Sequence, residues 1–385
     1  MPTRMLLGPG PSDIAPRVLT AMSQPAVGHL DPAFVAIMDQ VKAGLRSAFR
    51  TSHEMTFPVS APASAGMESC VVNLLEPGDT AVIGINGIFG ERLAENARRA
   101  GAQVVEVKSS WGTPVEPARI REALRAHPEA RVVGFVHAET STGVCSDAKA
   151  IAAEARAHDC LVLVDAVTSL AGIPLETEGW GLDAVYSGSQ KCLSCTPGLS
   201  PVTFSPRAMD RIAARTTPVQ SWFLDVSLVA GYWQGDGAGS GLRSYHHTAP
   251  VNAIYGLYEA LRMLHEEGLE RSWARHREAH EGLRAGLDAL GLSLAVPAEY
   301  RLPQLNAVSI PKDVDDVEVR TRLLNEFGIE IGAGLGPLRG EIWRVGLMGS
   351  SATRGNVVRF LEAMETILDR SGGARAADEF FERTR

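Results

Sequence analysis

The chain has 385 residues, 45% of them hydrophobic, and a formal net charge of −8 that is spread without blocks. That length and apolar content build a large core and two domains, and the diffuse negative charge excludes a nucleic-acid or membrane-surface binder. Five cysteines in so long a chain make no disulfide framework, no signal peptide is expected, and the best apolar run, Leu161–Val164, is far too short to span a bilayer, so a cytoplasmic protein is the expectation.

The first residues alternate Gly and Pro from Gly8 to Pro11, which forbids helix and predicts an extended, sharply turned arm. Asp31-Pro32 reads as an N-cap with Pro at the first helical position, and Phe34, Ile37, Met38, Val41, Leu45 and Ala48 follow at helical spacing. A run of small residues around Pro62, Ala63 and Ser64 then opens a second helix holding Met67, Val71, Val72 and Leu75. Backbone N–H groups at such a turn favour a phosphate, although many such turns bind nothing.

Strand and helix patterns alternate from there. Strands are predicted at 81–85, 103–107, 131–136, 161–164, 184–186 and 201–204, with helices at 89–99, 116–126 and 147–158. The expected fold class is therefore α/β, with a mostly parallel sheet covered by helices. Residues 250–290 read as wholly helical and link to a smaller αβ unit, with strands near 306–310, 329–331 and 342–345 and helices near 317–327 and 353–368. The expected division is an N-terminal arm at 1–20, a large domain at 21–255, linking helices with a small C-terminal domain at 256–370, and a polar tail at 371–385 that forms a peripheral or frayed helix.

Lys191 follows the strand 184–186 among serines and glycines. Only five lysines occur, against many arginines, and an arginine cannot form an imine near neutral pH. The other four lie in polar surroundings that suggest surface. Lys191 is thus a candidate for Schiff-base chemistry, or else a loop lysine that binds a phosphate or nothing. Asp165 closes a strand, and a carboxylate there wants a cation, a metal or a hydrogen-bonded turn. Arg344 sits in another strand-like run and suits a substrate carboxylate or a sheet edge. His276 and His280 lack the zinc-protease pattern and read as solvated. Cys192 and Cys195 lack a second ligand pair, so no metal site is expected. A phosphate-type turn, a strand-end aspartate, a strand-end lysine and a distal arginine together are what a pyridoxal phosphate enzyme needs.

These residues carry a resemblance. Tyr186-Ser-Gly-Ser-Gln-Lys191, Val164-Asp-Ala-Val-Thr-Ser169, Tyr245-His-His-Thr248, Glu139-Thr-Ser-Thr-Gly143 and Arg344-Val-Gly-Leu-Met-Gly349 fall in the order seen in the class V aminotransferases of the fold-type-I pyridoxal phosphate enzymes. The chain most resembles the alanine–glyoxylate and serine–pyruvate group, from Gly8 to about Leu368. The resemblance implies that Lys191 carries the cofactor as a Schiff base, Asp165 pairs with the pyridine nitrogen, and Val167 and Phe89 cover the two ring faces. It implies that Thr140 lies near the ring, and that Gln190, Ala63 and Ser64 hold the phosphate. Tyr245 and Thr248 would reach the phosphate of a neighbouring subunit in a homodimer. Arg344 would hold the substrate carboxylate, with Gly28 and His29 lining the pocket. One departure stands out: the family's phosphate turn usually reads Ser-Gly-Thr or Ser-Gly-His, and this chain has Pro62-Ala63-Ser64. A lyase or desulfurase of the same fold, or a non-catalytic relative, are the competing readings. The Gly-rich stretch 332–340 has no cysteine, which opposes a desulfurase.

Overall fold

The computed structural model describes residues 2–235 and 243–384. Its strands are β1 (Met5–Leu6), β2 (Met55–Val59), β3 (Thr80–Ile85), β4 (Gln103–Lys108), β5 (Ala130–Val136), β6 (Ala138–Glu139), β7 (Val144–Cys145), β8 (Leu161–Asp165), β9 (Ala184–Tyr186), β10 (Ser200–Phe204), β11 (Leu305–Ser309), β12 (Ile329–Glu330), β13 (Gly332–Ala333) and β14 (Ile342–Gly346). Its helices are α1 (Pro16–Met22), α2 (Pro32–Phe49), α3 (Ala63–Leu74), α4 (Ile88–Arg99), α5 (Pro117–Ala126), α6 (Ala148–Ala157), α7 (Pro206–Ala213), α8 (Val226–Trp233), α9 (Val251–Glu267), α10 (Leu269–Ala289), α11 (Asp316–Glu326), α12 (Arg354–Leu368) and α13 (Gly373–Arg383).

The main sheet has seven strands in the order β2-β10-β9-β8-β5-β3-β4, and only β10 runs antiparallel to its neighbours. Strands β3 and β8 are buried along their whole length because helices cover both faces, which is why their sequences are unbroken apolar runs. The chain leaves β3 outward to β4, then returns to place β5 on the other side of β3. Loops on the two sides diverge at that reversal and leave a crevice at the carboxyl ends of the strands.

Strand β2 escapes the sequence pattern because Pro58 interrupts it. It is an edge strand, where a missing N–H costs no ladder bond. Helices α1, α7 and α8 are short and went unpredicted. The helical stretch after Pro250 is cut at Gly268, whose φ of +87° suits glycine and turns the chain between α9 and α10. The last helix, α13, docks on α10: Ala377 and Phe381 are buried, and Gly282 leaves the space that the Phe381 ring fills.

A second core forms around the three-stranded sheet β11-β14-β13 and helices α10 to α13. The N-terminal arm belongs to it. Met5 pairs with Ile329, Leu7 is fully buried, and Gly346 N–H donates to the Leu7 carbonyl at 2.7 Å. The face of α10 that carries both histidines is packed inside rather than solvated, which reverses the expectation for them. His276 is fully buried; its Nδ1 lies 2.7 Å from the Ser272 carbonyl, and its Nε2 accepts from the Gly349 N–H at 2.9 Å. His280 is buried with Nδ1 2.6 Å from Asn306 Oδ1. Lys42, expected at the surface, lies buried on the inner side of α2, where desolvation and then the positive charges of Arg243 and Arg46 lower its pKa.

Candidate active site

A cleft of about 290 Å³ opens at the sheet reversal, and its lining includes Lys191, Asp165, Val167, Phe89, Thr140 and Tyr186, with Gln190, Ala63 and Ser64 at one end. Residues from four strand ends and two helix starts converge there. β8 ends in Asp165, β9 leads to Lys191, β5 leads through β6 to Thr140, and β3 leads into α4 with Phe89.

Asp165 is 3% exposed. Its Oδ1 accepts from the Val167 N–H at 2.9 Å and its Oδ2 from the Tyr186 hydroxyl at 2.7 Å. Burial pushes the carboxyl up to about 6, and these two donors pull against that rise. No cationic side chain among the described residues pairs with it. A buried carboxylate with spare lone pairs and no counter-ion is a site for a cationic ring nitrogen.

Lys191 Nζ donates to the Pro9 carbonyl of the arm. Burial pushes the amine down to about 8; the positive Arg344 adds to this, while Cys192 and Asp165 oppose it. The arm approaches so closely that Gly10 has no room for a side chain: a Cβ there would lie 2.7 Å from Lys191 Cδ. Ser12 fastens the same crossing, its N–H donating to the Gln190 carbonyl at 2.9 Å and its hydroxyl to the Lys191 carbonyl at 2.8 Å.

At the other end of the cleft, α3 begins at Ala63 with Pro62 as an N-cap that offers no side-chain bond. The N–H groups of Ala63 and Ser64 are the first two of the helix and have no intrahelical acceptor. Gln190 Oε1 is buried without a hydrogen-bond partner among the described residues. A glutamine amide can be turned so that its NH₂ faces a bound oxygen. These groups fit a phosphate. With the unpaired Asp165 carboxylate and the Lys191 amine, they fit pyridoxal phosphate.

Arg344 lies at the middle of β14, opposite Ala307 and Gly332. Its Nε donates to the Ala333 carbonyl at 2.7 Å and its Nη1 to the Thr140 carbonyl at 3.2 Å. Burial lowers its pKa to about 10, against the nearby Glu139 carboxylate. No carboxylate among the described residues forms an ion pair with it.

Five expected site residues are not in the lining of the Lys191 cleft. Arg344 stands behind it, joined to the lining through the Thr140 carbonyl, and Gly28, His29, Tyr245 and Thr248 lie elsewhere in this chain. His29 and Tyr245 meet each other, with ring centroids 5.3 Å apart, and the Tyr232 hydroxyl donates to the His29 carbonyl at 2.9 Å. Two residues of the site carried no predicted role. Tyr186 reads as one more apolar strand residue, although a phenol at the end of a buried strand has to place its hydroxyl somewhere. Glu139 is a carboxylate three residues past the buried apolar strand β5, at the end of the short β6, a signal akin to the one that singled out Asp165.

A mostly parallel seven-stranded sheet with this lysine, aspartate and phosphate turn at its reversal defines a fold-type-I pyridoxal phosphate enzyme. The chain belongs to the class-V aminotransferase family, whose model (Aminotransferase class-V) matches residues 5–340. It is 41% identical over 369 residues to an alanine–glyoxylate aminotransferase of Oryctolagus cuniculus, covering 95% of this chain and 93% of that protein. The crystal structure of an alanine–glyoxylate aminotransferase from Nostoc sp. superposes with a TM-score of 0.92 at 46% identity, covering 96% of each chain. The ureidoglycine–glyoxylate aminotransferase of Bacillus subtilis superposes with a TM-score of 0.95 at 38% identity, covering 99% of each chain. Like other members of the family, the chain is an aminotransferase that uses pyridoxal phosphate.

Proposed function

We propose that the chain transfers the amino group of a small L-amino acid, alanine or serine, to glyoxylate or pyruvate. One observation carries the reading. Arg344 is a single buried guanidinium that keeps its remaining N–H groups free while two carbonyls fix its orientation. Such a group holds one carboxylate through two parallel hydrogen bonds, and both an amino acid and its oxo acid offer one. A cleft of about 290 Å³ suits substrates of few atoms. Relatives named for glyoxylate support that acceptor.

In this reading pyridoxal phosphate supplies the electron sink for the pair left at Cα when its proton departs. Lys191 Nζ takes that proton. Its lowered pKa leaves a usable neutral fraction near neutral pH. Asp165 holds the ring nitrogen in its protonated form, and Val167 and Phe89 cover the ring faces. Ala63, Ser64 and Gln190 hold the phosphate. Two substrates use one site in turn, so the kinetics are ping-pong. The proposal includes a homodimer in which Tyr245 and Thr248 serve the phosphate of the partner's site, with Gly28 and His29 beside the substrate there. It also includes a cytoplasmic setting, supported by five cysteines that are all unpaired.

The test follows the visible spectrum of the cofactor-loaded protein through additions of L-alanine, L-serine and then glyoxylate. The expected result is loss of the lysine-bound band with either amino acid and its return with glyoxylate. Arg344→Ala should raise KM for both substrates about a hundredfold, the worth of a lost charge-assisted pair. A band indifferent to both amino acids overturns the substrate assignment.

A further inference from the structure

Glu139 ties the ring-covering and substrate-holding sides of the cleft into one frame. It is fully buried at the end of β6. Its Oε2 accepts from the backbone N–H groups of Phe89 at 3.1 Å and Gly90 at 3.3 Å. Its Oε1 accepts from Ser141, from the N–H at 3.0 Å and from the hydroxyl at 2.6 Å. The Ser141 hydroxyl in turn accepts from the Ile88 N–H at 3.0 Å. The first three N–H groups of α4 are thus satisfied from another loop.

Helix α4 cannot cap itself. Its N-cap is Gly87, which has no side chain to offer. It cannot have one either, because a Cβ there would lie 2.5 Å from Glu139 Cγ. The cap therefore comes from Glu139 and Ser141, and it fixes the first turn that carries Phe89. The next residue, Thr140, lines the cleft and holds Arg344 through its carbonyl. All four partners of the Glu139 carboxylate are donors, so a proton on it would displace one of them. Despite burial, the geometry calls for the ionised form, which also places a negative charge near Arg344.

We infer that Glu139 is a positioning residue for this aminotransferase: it sets Phe89 against the cofactor ring and Arg344 against the substrate carboxylate. The inference rests on the site assignment above. In Glu139→Gln one oxygen becomes an NH₂ that faces two donors.

The experiment uses the full-length, cofactor-loaded protein and three readouts: the cofactor dissociation constant, the visible circular dichroism of the bound cofactor, and KM separately from kcat. Glu139→Gln is expected to weaken cofactor binding about tenfold, alter the visible dichroic band and raise KM for the amino acid. Ser141→Ala should move all three the same way by less. Unchanged binding, band and KM in a variant whose melting temperature falls would assign Glu139 a merely structural part and overturn the inference. Should Glu139→Gln not fold, Ser141→Ala decides by the same criteria. A wild-type protein that binds no cofactor would overturn both this inference and the reading beneath it, whereas variants identical to a cofactor-binding wild type would overturn this inference alone.

Discussion

The Tyr186 hydroxyl donates a 2.7 Å hydrogen bond to Oδ2 of Asp165, one residue buried by the sheet and the other at the end of its central strand. The bond favours the carboxylate over the acid. Burial raises Asp165 to about 6 even against the pull of the Val167 N–H and the phenol, so the phenol is part of what keeps it charged at neutral pH. Tyr186→Phe removes a donor to a charged group, worth about 1.5–3 kcal/mol. Asp165 then titrates higher, and it holds a ring proton less firmly. The expected outcome is a kcat about tenfold lower with KM little changed, read from steady-state kinetics with alanine and glyoxylate.

Gly10→Ala should separate the cofactor chemistry from the fold. Gly10 has a φ of +105°, which strains any side chain, and the added Cβ meets the Lys191 side chain itself. Either the arm lifts or the lysine moves. Circular dichroism in the far ultraviolet is expected to match the wild type. The visible band of the lysine-bound cofactor is expected to shrink or vanish.

Acid should loosen the cofactor-free protein. His137 and His276 are buried neutral and pushed down to about 4 by desolvation. A group whose folded pKa lies below its unfolded 6.5 binds fewer protons when folded, so stability is lost as pH falls through that window. Between pH 7 and 5 each costs about 2 kcal/mol. Asp165 acts oppositely, since its folded pKa is raised from 3.8 to about 6; the penalty it imposes at neutral pH is relieved by about 1 kcal/mol on the same descent. The net expectation from these three groups is a loss of about 3 kcal/mol by pH 5, measured as a lower denaturant midpoint. His276→Gln, which can still donate and accept, should remove close to half of the histidine part of that slope.

The α/β alternation was legible because buried parallel strands need unbroken apolar runs, and those runs have no second reading here. Asp165 was legible because a carboxylate closes an apolar strand, and Lys191 because a rare lysine follows a strand end among small residues. Other features depend on what the chain folds against. His276 and His280 look like a polar helix face until the small unit packs over α10. Pro58 hides β2 because edge position is a property of the sheet. Glu139 also ends a strand, but besides the nearby Ser141 its partners are backbone N–H groups about fifty residues earlier in the chain. No spacing rule points to them.

Pro62 stands where the resemblance leads to a serine, and placing a hydroxyl there tests what the proline costs. Pro62 has φ −64° and ψ 166°, an extended conformation that serine adopts readily, and it is exposed, so Pro62→Ser requires no repacking. A serine at that N-cap can accept from a free N–H of α3 in the empty protein, and its own N–H and hydroxyl can face the phosphate when the cofactor is bound. One added contact to a charged group is worth about 1.5 kcal/mol or more, so the cofactor dissociation constant should fall about tenfold. The measurement is a fluorescence titration of the cofactor-free variant with pyridoxal phosphate. If affinity does not change, Gln190 and the N–H groups of Ala63 and Ser64 already saturate the phosphate, and the proline is a neutral replacement.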